Sequence, residues 1–346
     1  MVTIKDVAKE AGVSIGSVSN VINNAPNITQ ETREKVLAAM EKLGYKPKTT
    51  IKPVKRQSMH CIGLIVPGIN NPYYSELARG AEDVALKNQY GILQGNSDRF
   101  KEKEAQYIDL LLQKKVDGII MAEPQMSPTD IVRLSTRCPL VLLDVSMNLI
   151  GDFDIINIDD ASGTRSGMEL LYAYGHRRIA FISGILASEA SRVRMETYTD
   201  FMESHGLGGQ DDLLKHGTFS WPSGYATADE LFRTVDPPSA VFAANDLMAI
   251  GAMKAAQERQ MRIPHDVSII GYDGIDTTQL MTPRLTSVRR PQYESGTLAV
   301  ELLLRRVQAM DAGEKCPPQL VTLTPELLLR ESVGYKAPDK RTPVYR

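Results

Sequence analysis

Two groups of side chains in this 346-residue chain have types and spacings suited to binding chemistry. Ser14, Ile15, Gly16, Ser17, Ser19 and Asn20 crowd one short stretch near the N-terminus. Their hydroxyls and amide can meet phosphates and base edges. Ile15 can touch a thymine methyl, Gly16 presents no side chain, and Asn20 can read adenine. The second group stands after apolar runs: Asn71 and Tyr73, Asn96 and Asp98, Glu123, Asp144, Asn245 with Asp246, and Asp273. Carboxylates and amides of this kind exchange hydrogen bonds with the hydroxyls of a small polyol. Trp221, the single tryptophan, sits in the polar stretch TFSWPSG, where its face could stack on the apolar side of a sugar ring.

The first group needs a helix. TIKDVAKEAGVSIGSVSNVINN (residues 3–24) reads as two short helices broken at Gly12. Thr3 caps the first, with Asp6 three residues on as a short-side-chain capping box. Ile4, Val7 and Ala8 share one face. Gly12 supplies the left-handed backbone of a tight turn, and Val13 can wedge between the helices. Ser14 caps the second helix, which buries Val18, Val21 and Ile22 and turns its small polar residues outward. That arrangement suits a DNA major groove. A third helix follows, capped by Thr29, striped with Val36, Leu37, Met40 and Leu43, and stopped at Gly44.

The second group needs strands. Apolar runs begin at Cys61, Tyr90, Val116, Leu140, Ile155, Arg178, Ala240 and Val267. Amphipathic segments such as SELARGAEDVALKN separate them. Continuous apolar strands alternating with helices predict parallel sheet covered on both faces. So many units predict two doubly wound subdomains, with ligands beyond the carboxyl ends of the strands. Asp160 and Asp246 each open a helical pattern and are read as caps. His176, in YGHRR, reads as structural.

Bulk properties narrow the function classes. Residues 1–57 carry ten Lys and Arg against five Asp and Glu, a net of +5, within a chain whose total is −2; the rest therefore holds −7. A basic head on an acidic body suits a DNA-binding module joined to a body that does not bind DNA. Cys61, Cys138 and Cys316 are odd in number and far apart, which builds neither a metal site nor a disulfide framework and implies a reducing cytosol. No secretory signal and no membrane-length apolar run is present. There is no G-x-G-x-x-G after an early strand, no phosphate-binding P-loop and no G-x-S-x-G elbow, so no catalytic centre and no cofactor is expected.

The N-terminal wording, T-I-x-D-V-A-x-x-A-G-V-S-x-x-[ST]-V-S-x-V-[IL]-N, resembles the start of the LacI/GalR family of bacterial transcription regulators. TQETREKVLAAMEKLGYKP resembles the family's third helix. IGLIVPGINNPYYSELARGAE, QKKVDGIIM, YGHRRIAFISG, FAANDLMAIGAMKAA, IPHDVSIIGYDG and LTSVRRP extend the likeness along nearly the whole body. The resemblance implies a core similar to periplasmic sugar-binding proteins, crossed three times by the chain, near Asp159, Arg289 and Pro318. It also implies an effector site of Arg194 (in R-M-E-T-Y, where Thr197 replaces the usual glycine), Trp221, Asn245 and Asp273, joined by Asn71, Tyr73 and Asp144. In the head it makes Ile15 and Gly16 operator-choice positions. It puts Asn20 where arginine is frequent, and makes Thr3, Lys5, Asn23, Thr29 and Tyr45 DNA-backbone contacts.

The linker departs from the family pattern. Members continue Y-x-P-N-x-x-A-x-x-L, a segment that folds on operator DNA and wedges its leucine into the minor groove. Here Lys48 replaces the asparagine, Ile51 the alanine and Val54 the leucine, and Pro53 falls between them. Proline inside a helix costs about 3 kcal/mol, so a short, distorted or absent hinge helix is expected, with Ile51 or Val54 as a weaker wedge.

The expected organisation is a helix-turn-helix head (1–46), a hinge linker (47–59), one α/β subdomain (60–158 with 290–317), a second (159–289 with 318–338) and a tail (339–346) without a heptad. The expected function is transcription regulation, by repression, through a cytoplasmic homodimer on a pseudo-palindromic operator. A small effector, a sugar, would control it, with no membrane partner. A cytosolic sugar-binding protein with weak or no specific DNA binding is the alternative, and an α/β enzyme a third.

Overall fold

A computed structural model describes residues 2–22, 28–45 and 58–336. Asn23, Lys48, Ile51, Pro53 and Val54, and the 339–346 tail, lie outside the described residues. The chain divides into two compact units, Met1–Arg56 and Gln57–Arg346.

The small unit holds α1 (Ile4–Ala11), α2 (Ile15–Ile22) and α3 (Gln30–Lys42). Asp6 Oδ2 accepts from the Thr3 backbone N–H at 2.8 Å and from its hydroxyl at 2.7 Å. Gly12 takes φ +66° and ends α1. Ser14 Oγ accepts from the Ser17 N–H at 3.1 Å, and Thr29 Oγ1 from the Thr32 N–H at 3.3 Å. Val7, Ala8, Val18, Val21, Val36 and Ala39 close a miniature core. Leu37, expected inside, is exposed; Ala39 takes its place because it lies one helical turn beyond Val36 on the same face.

The large unit begins with β1 (Cys61–Val66), α4 (Pro72–Lys87), β2 (Gly91–Asn96), α5 (Lys101–Gln113), β3 (Gly118–Ala122), α6 (Pro128–Ser135), β4 (Leu140–Leu143) and β5 (Asp154–Ile158). It continues with α7 (Asp160–Ala173), β6 (Ile179–Ser183), α8 (Glu189–Ser204), β7 (Leu214–His216), α9 (Trp221–Phe232), β8 (Ala240–Ala243), α10 (Asp246–Glu258), β9 (Ser268–Asp273) and β10 (Thr286–Arg289). It closes with α11 (Gln292–Ala312), β11 (Leu320–Leu323) and β12 (Glu326–Leu328).

Two six-stranded sheets result, in orders β11-β5-β4-β3-β1-β2 and β12-β10-β9-β8-β6-β7. The first is wholly parallel; the second is parallel except for β12, which runs antiparallel to β10. The central strands are buried on both faces, each Ile or Leu contributing roughly 1.5–3 kcal/mol, which is why they read as unbroken apolar runs. Gly80 and Gly296 let α4 and α11 meet backbone to backbone: a Cβ on Gly296 would lie 1.9 Å from the Leu77 carbonyl oxygen. The chain changes sheets after Ile158, between Arg289 and Gln292, and again between Leu323 and Glu326. The third change therefore falls later than Pro318, because β11 pairs with β5 of the first sheet before the chain leaves it.

Candidate nucleic-acid interface and ligand cleft

In the head, the outward side of α2 carries Ile15, Gly16 and Asn20 in solvent, with Ser17 and Ser19 half-buried beside them. Ile15 is 46% exposed, a branched apolar side chain left wet beside a capped helix start. Thr3, Lys5, Ser14 and Thr29 are exposed, and Tyr45 is half-buried. A helix with its N-terminal turn free, small residues and one apolar tip can enter a major groove.

In the core, each sheet order reverses beside its starting strand, β1 with β3 and β6 with β8, and the ligand crevice of such sheets opens there. Residues from both sheets meet at that place. Asn71 caps α4 by accepting from the Tyr73 N–H at 3.1 Å, and its Nδ2 donates to Asp273 Oδ2 at 3.3 Å across the cleft. Arg290 donates to Asp144 Oδ1 at 2.6 Å and lies over the Tyr73 ring, 4.5 Å from its centroid. Arg194 donates through Nε and Nη2 to Asp160 Oδ1 at 3.1 and 2.9 Å and through Nη1 to the Ala244 carbonyl at 2.5 Å. Its guanidinium lies 3.7 Å from the Tyr272 ring centroid, and its Nη1 is 4.0 Å from Asp273 Oδ1. Thr197 leaves α8 unbroken, its hydroxyl donating to the Val193 carbonyl at 2.8 Å.

A second cluster spans the cleft at Glu123. Arg99 grips this carboxylate with two nitrogens, at 2.6 and 3.1 Å; Tyr74 donates to it at 2.5 Å and Ser188, on the other subdomain, at 2.7 Å. Arg99 also lies over the Phe219 ring at 5.2 Å. Burial opposes the charge on Glu123, but Arg99 and these hydrogen bonds outweigh it and bring its pKa down to about 2. Burial dominates at Asp273 and raises its pKa to about 6 despite Arg194, Arg290 and Asn71. Burial likewise lifts the Asp144 carboxyl above its usual range, against the pull of Arg290.

The backbone is strained where these groups sit. Asp98, Arg99, Glu123, Asp144, Phe219 and Asp273 all have positive φ, and for residues with a Cβ that conformation costs energy which only a well-determined surrounding sustains. Three buried polar atoms here have no hydrogen-bond partner: Tyr73 Oη, Asp144 Oδ2 and Arg290 Nε, the last lying 3.6 Å from Asp160 Oδ1. The central cavity, lined by Asn71, Tyr73, Arg99, Glu123, Arg194 and their neighbours, is about 20 Å³, too small for a sugar ring.

The expected residues distribute unevenly. Asn71, Tyr73, Arg194 and Asp273 line that cavity, and Asp144 stands behind Arg290. Asn245 is fully buried; its amide caps α10 at the Met248 N–H (3.0 Å) and holds the Phe219 carbonyl (3.0 Å). Trp221 is 55% exposed in the first turn of α9 and outside the cavity lining; Phe219, two residues earlier, occupies the place expected of it. Asp160 and Asp246 are not the caps: Asp159 and Asn245 are, one residue earlier in each case. Asp160 is thereby free to pair with Arg194. Asp246 accepts from the Ser287 hydroxyl at 2.6 Å and the Ile275 N–H at 2.8 Å. Asn96 and Asp98 pair with each other on the surface, with Lys103 on Asp98. His176 is buried between the Ser239 hydroxyl and the Gly334 carbonyl, a structural position. Arg99 and Phe219 carry no sequence signal beyond a charged or aromatic residue in a polar loop, and Arg290 none beyond its place in LTSVRRP.

A helix-turn-helix unit followed by two linked α/β subdomains around a polar cleft defines the class of ligand-controlled DNA-binding regulators. The model described as bacterial regulatory proteins, lacI family, matches residues 3–48, and that described as periplasmic binding protein-like domain matches residues 168–333. Catabolite control protein A of Priestia megaterium is 34% identical over 88% of this chain and 92% of its own length. The ribose operon repressor of Escherichia coli K12 is 33% identical over 96% of this chain and all of its own. A solved lac repressor dimer bound to operator and the anti-inducer ONPF has TM-score 0.70 and 27% identity, covering 96% of this chain and 99% of that one. The chain belongs to the LacI family of bacterial regulatory proteins, whose members are regulators and not enzymes.

Proposed function

We propose that this protein is a transcriptional repressor that acts as a homodimer on a pseudo-palindromic operator and is controlled by a hydroxylated small molecule, a sugar, in the inter-subdomain cleft. One observation carries the effector reading. Tyr73 Oη, Asp144 Oδ2 and Arg290 Nε are buried without a hydrogen-bond partner where Arg290 meets Asp144 and the Tyr73 ring, which offers an acceptor, a donor and a group able to do either. Adjacent hydroxyls of a sugar match that set, since each can donate to the carboxylate and accept from the guanidinium. Every cationic group in the cleft faces a carboxylate, so the site suits a neutral ligand better than an anionic one. A relative named as the ribose operon repressor and a solved lac repressor dimer bound to operator agree with this reading.

In the head, Ile15, Gly16, Ser17, Ser19 and Asn20 would read bases, and Thr3, Lys5, Ser14, Asn23, Thr29 and Tyr45 would hold phosphates. Ile51 or Val54 would supply the minor-groove wedge. In the core, Asn71, Tyr73, Asp144, Arg194 and Asp273 would hold the effector, Asn245 would act through the Phe219 loop, and Phe219 would replace Trp221 as the stacking ring. No helix among the described residues is long and apolar enough to cross a membrane, and a site in the cytoplasm, where operator DNA lies, is part of the proposal.

Genomic operator selection at fixed salt, repeated with a panel of sugars, tests it. A palindromic site gained or lost with one sugar supports the reading and gives the effector's sign. Sugar binding with no selected site would favour the sugar-binding alternative. Neither would overturn both.

A further inference from the structure

Away from the cleft, a groove of about 900 Å³ opens at the amino ends of the first sheet's strands, between the α6–β4 turn, the chain before β5 and the segment joining α11 to β11. Two thiols far apart in the sequence line it: Cys138, which is buried, and Cys316, which is half-buried. The sheet register puts them level. Ile155 pairs with Leu142 on one side and Leu320 on the other, and Gly151, Cys138 and Cys316 each stand four residues before these three. Gly151 also lines the groove and has no side chain to come between the thiols. The two cysteine Cα atoms are therefore two strand spacings apart, roughly 10 Å. A disulfide needs about 7 Å or less, so the pair closes only if one side moves by about 3 Å. The 313–319 segment is suited to that movement. Lys315, Pro317 and Pro318 are exposed, and the Pro317 carbonyl accepts a long bond, 3.3 Å, from Arg305. The lining also carries a charge preference. Three cations, Arg137, Arg306 and Lys315, face two carboxylates, Asp152 and Glu314, a net of +1. Arg306 is committed to Asp152 at 2.7 Å, which leaves the exposed Arg137 and Lys315 to meet an anion.

We propose that this groove is a thiol-exchange site for small anionic disulfides, in which Cys316 takes up the disulfide and Cys138 resolves it. The Cys316 thiolate attacks one sulfur of a disulfide RSSR. The S–S bond of RSSR breaks, a Cys316–S–SR bond forms, and the first RS⁻ leaves and takes a proton from solvent. The Cys138 thiolate then attacks the Cys316 sulfur, the second RS⁻ leaves and is protonated, and a Cys138–Cys316 bond remains. Two protein thiols are oxidised and one external disulfide is reduced to two thiols, which carry away the two protons. The half-buried thiol acts first because a disulfide in the groove can reach it. The buried one enters only as the 313–319 segment folds inward. The site lies apart from the effector cleft and does not depend on the ligand read there.

The test uses the full chain. It is mixed with glutathione disulfide at about pH 8, where thiols begin to ionise, and timed samples are alkylated, weighed intact and mapped by peptide mass. One glutathione adduct on Cys316 is expected first, followed by its loss as Cys138 and Cys316 become linked. Cys61, whose thiol pKa is pushed up by burial, is the internal reference. It is expected to react at least about tenfold more slowly than Cys316. Cys138→Ser should stop the reaction at the Cys316 adduct, and Cys316→Ser should leave Cys138 unmodified. With each rate divided by that of free cysteine, glutathione disulfide should outpace the cationic disulfide cystamine at least about fivefold at low salt. Arg137→Glu combined with Lys315→Glu should reverse that preference. An adduct on Cys61 as fast as that on Cys316, or a Cys316 adduct that persists in the wild type, overturns the proposal. Equal normalised rates for the two disulfides overturn it as well. The wild-type time course decides the order of events even where a variant fails to fold.

Discussion

Replacing Arg290 by Met should unfold the core far more readily than its place in a polar cleft suggests. Arg290 and Asp144 have side chains 3% and 4% exposed and meet at 2.6 Å. Their charge centres are roughly 4 Å apart, which at an effective dielectric constant of about 20 gives an attraction of about 4 kcal/mol. Met keeps much of the volume and the contact with the Tyr73 ring, so the principal loss is the uncompensated Asp144 charge, and single removal of a buried partner costs about 3–5 kcal/mol. That loss has a pH signature. Burial already holds the Asp144 carboxyl above its ordinary pKa, and without Arg290 it must rise further. An acid with a raised folded pKa costs nothing below its unfolded pKa and progressively more as pH rises toward the folded one. Urea unfolding of Arg290→Met should therefore show its full penalty at pH 7.5 and a much smaller one near pH 4. Adding Asp144→Asn should recover most of the loss at pH 7.5. A penalty under about 1 kcal/mol at pH 7.5, or one independent of pH, would show that water reaches the pair and that the buried-network argument is wrong.

Asp273→Asn should raise core stability near neutral pH by about 3 kcal/mol at most, because a native pKa of about 6 against the ordinary 3.8 makes ionised Asp273 a cost that builds between pH 4 and 6; unfolding midpoints of wild type and variant should converge below pH 4. Asn20→Arg should move one symmetric operator position from adenine toward guanine, worth about 1–3 kcal/mol of discrimination in operator selection. Gly12→Ala should lower head stability by about 1–2 kcal/mol, measured by melting, through backbone strain alone, since φ is +66° and a Cβ there meets no atom within 4 Å. Pro53→Ala should tighten operator binding, since proline removes one hydrogen bond from any helix the linker forms on DNA; unchanged affinity in a gel-shift titration would remove the hinge argument.

The central strands were legible because burial on both faces writes them as unbroken apolar runs; all eight runs named from the sequence became strands, including the edge strand β2, most of which is exposed. β7 (LKH), β10 (TSVR), β11 (LVTL) and β12 (ELL) were not, since they are short and mix polar with apolar residues. The partner of β11 is likewise invisible in four residues, which is why the last crossing was placed too early. At the helix starts the sequence offers two capping residues in a row, Asp159-Asp160 and Asn245-Asp246. Local pattern cannot choose between them. The fold uses the first of each as the cap and sends the second into the buried network. Trp221 and Phe219 pose the same problem of two candidates within one turn. The positive φ of Phe219 turns it toward the cleft, while Trp221 begins a helix. The sequence does not single out Arg99 or Arg290 as site residues, because nothing local records that a second sheet will cover them.

The same network constrains how an effector can act. Three of the links that cross the cleft are Asn71 to Asp273, Ser188 to Glu123, and Arg99 over Phe219, beside Arg290, which meets both Asp144 and Asp160. A cavity of about 20 Å³ cannot admit a sugar while all three persist. Binding therefore requires the subdomains to separate, at least in part, and the ligand's net effect is the difference between the contacts it makes and the links it displaces. A ligand can shift a conformational equilibrium only by its differential affinity for the two states. Weakening a link without touching Asn71, Tyr73, Asp144, Arg194 or Asp273, as Ser188→Ala would, lowers the cost of opening and should tighten any effector that binds the open cleft. The identical change should weaken an effector that must be clamped between the subdomains. The sign of that one change thus reports which state the effector holds, and with it whether the cleft is read open or closed.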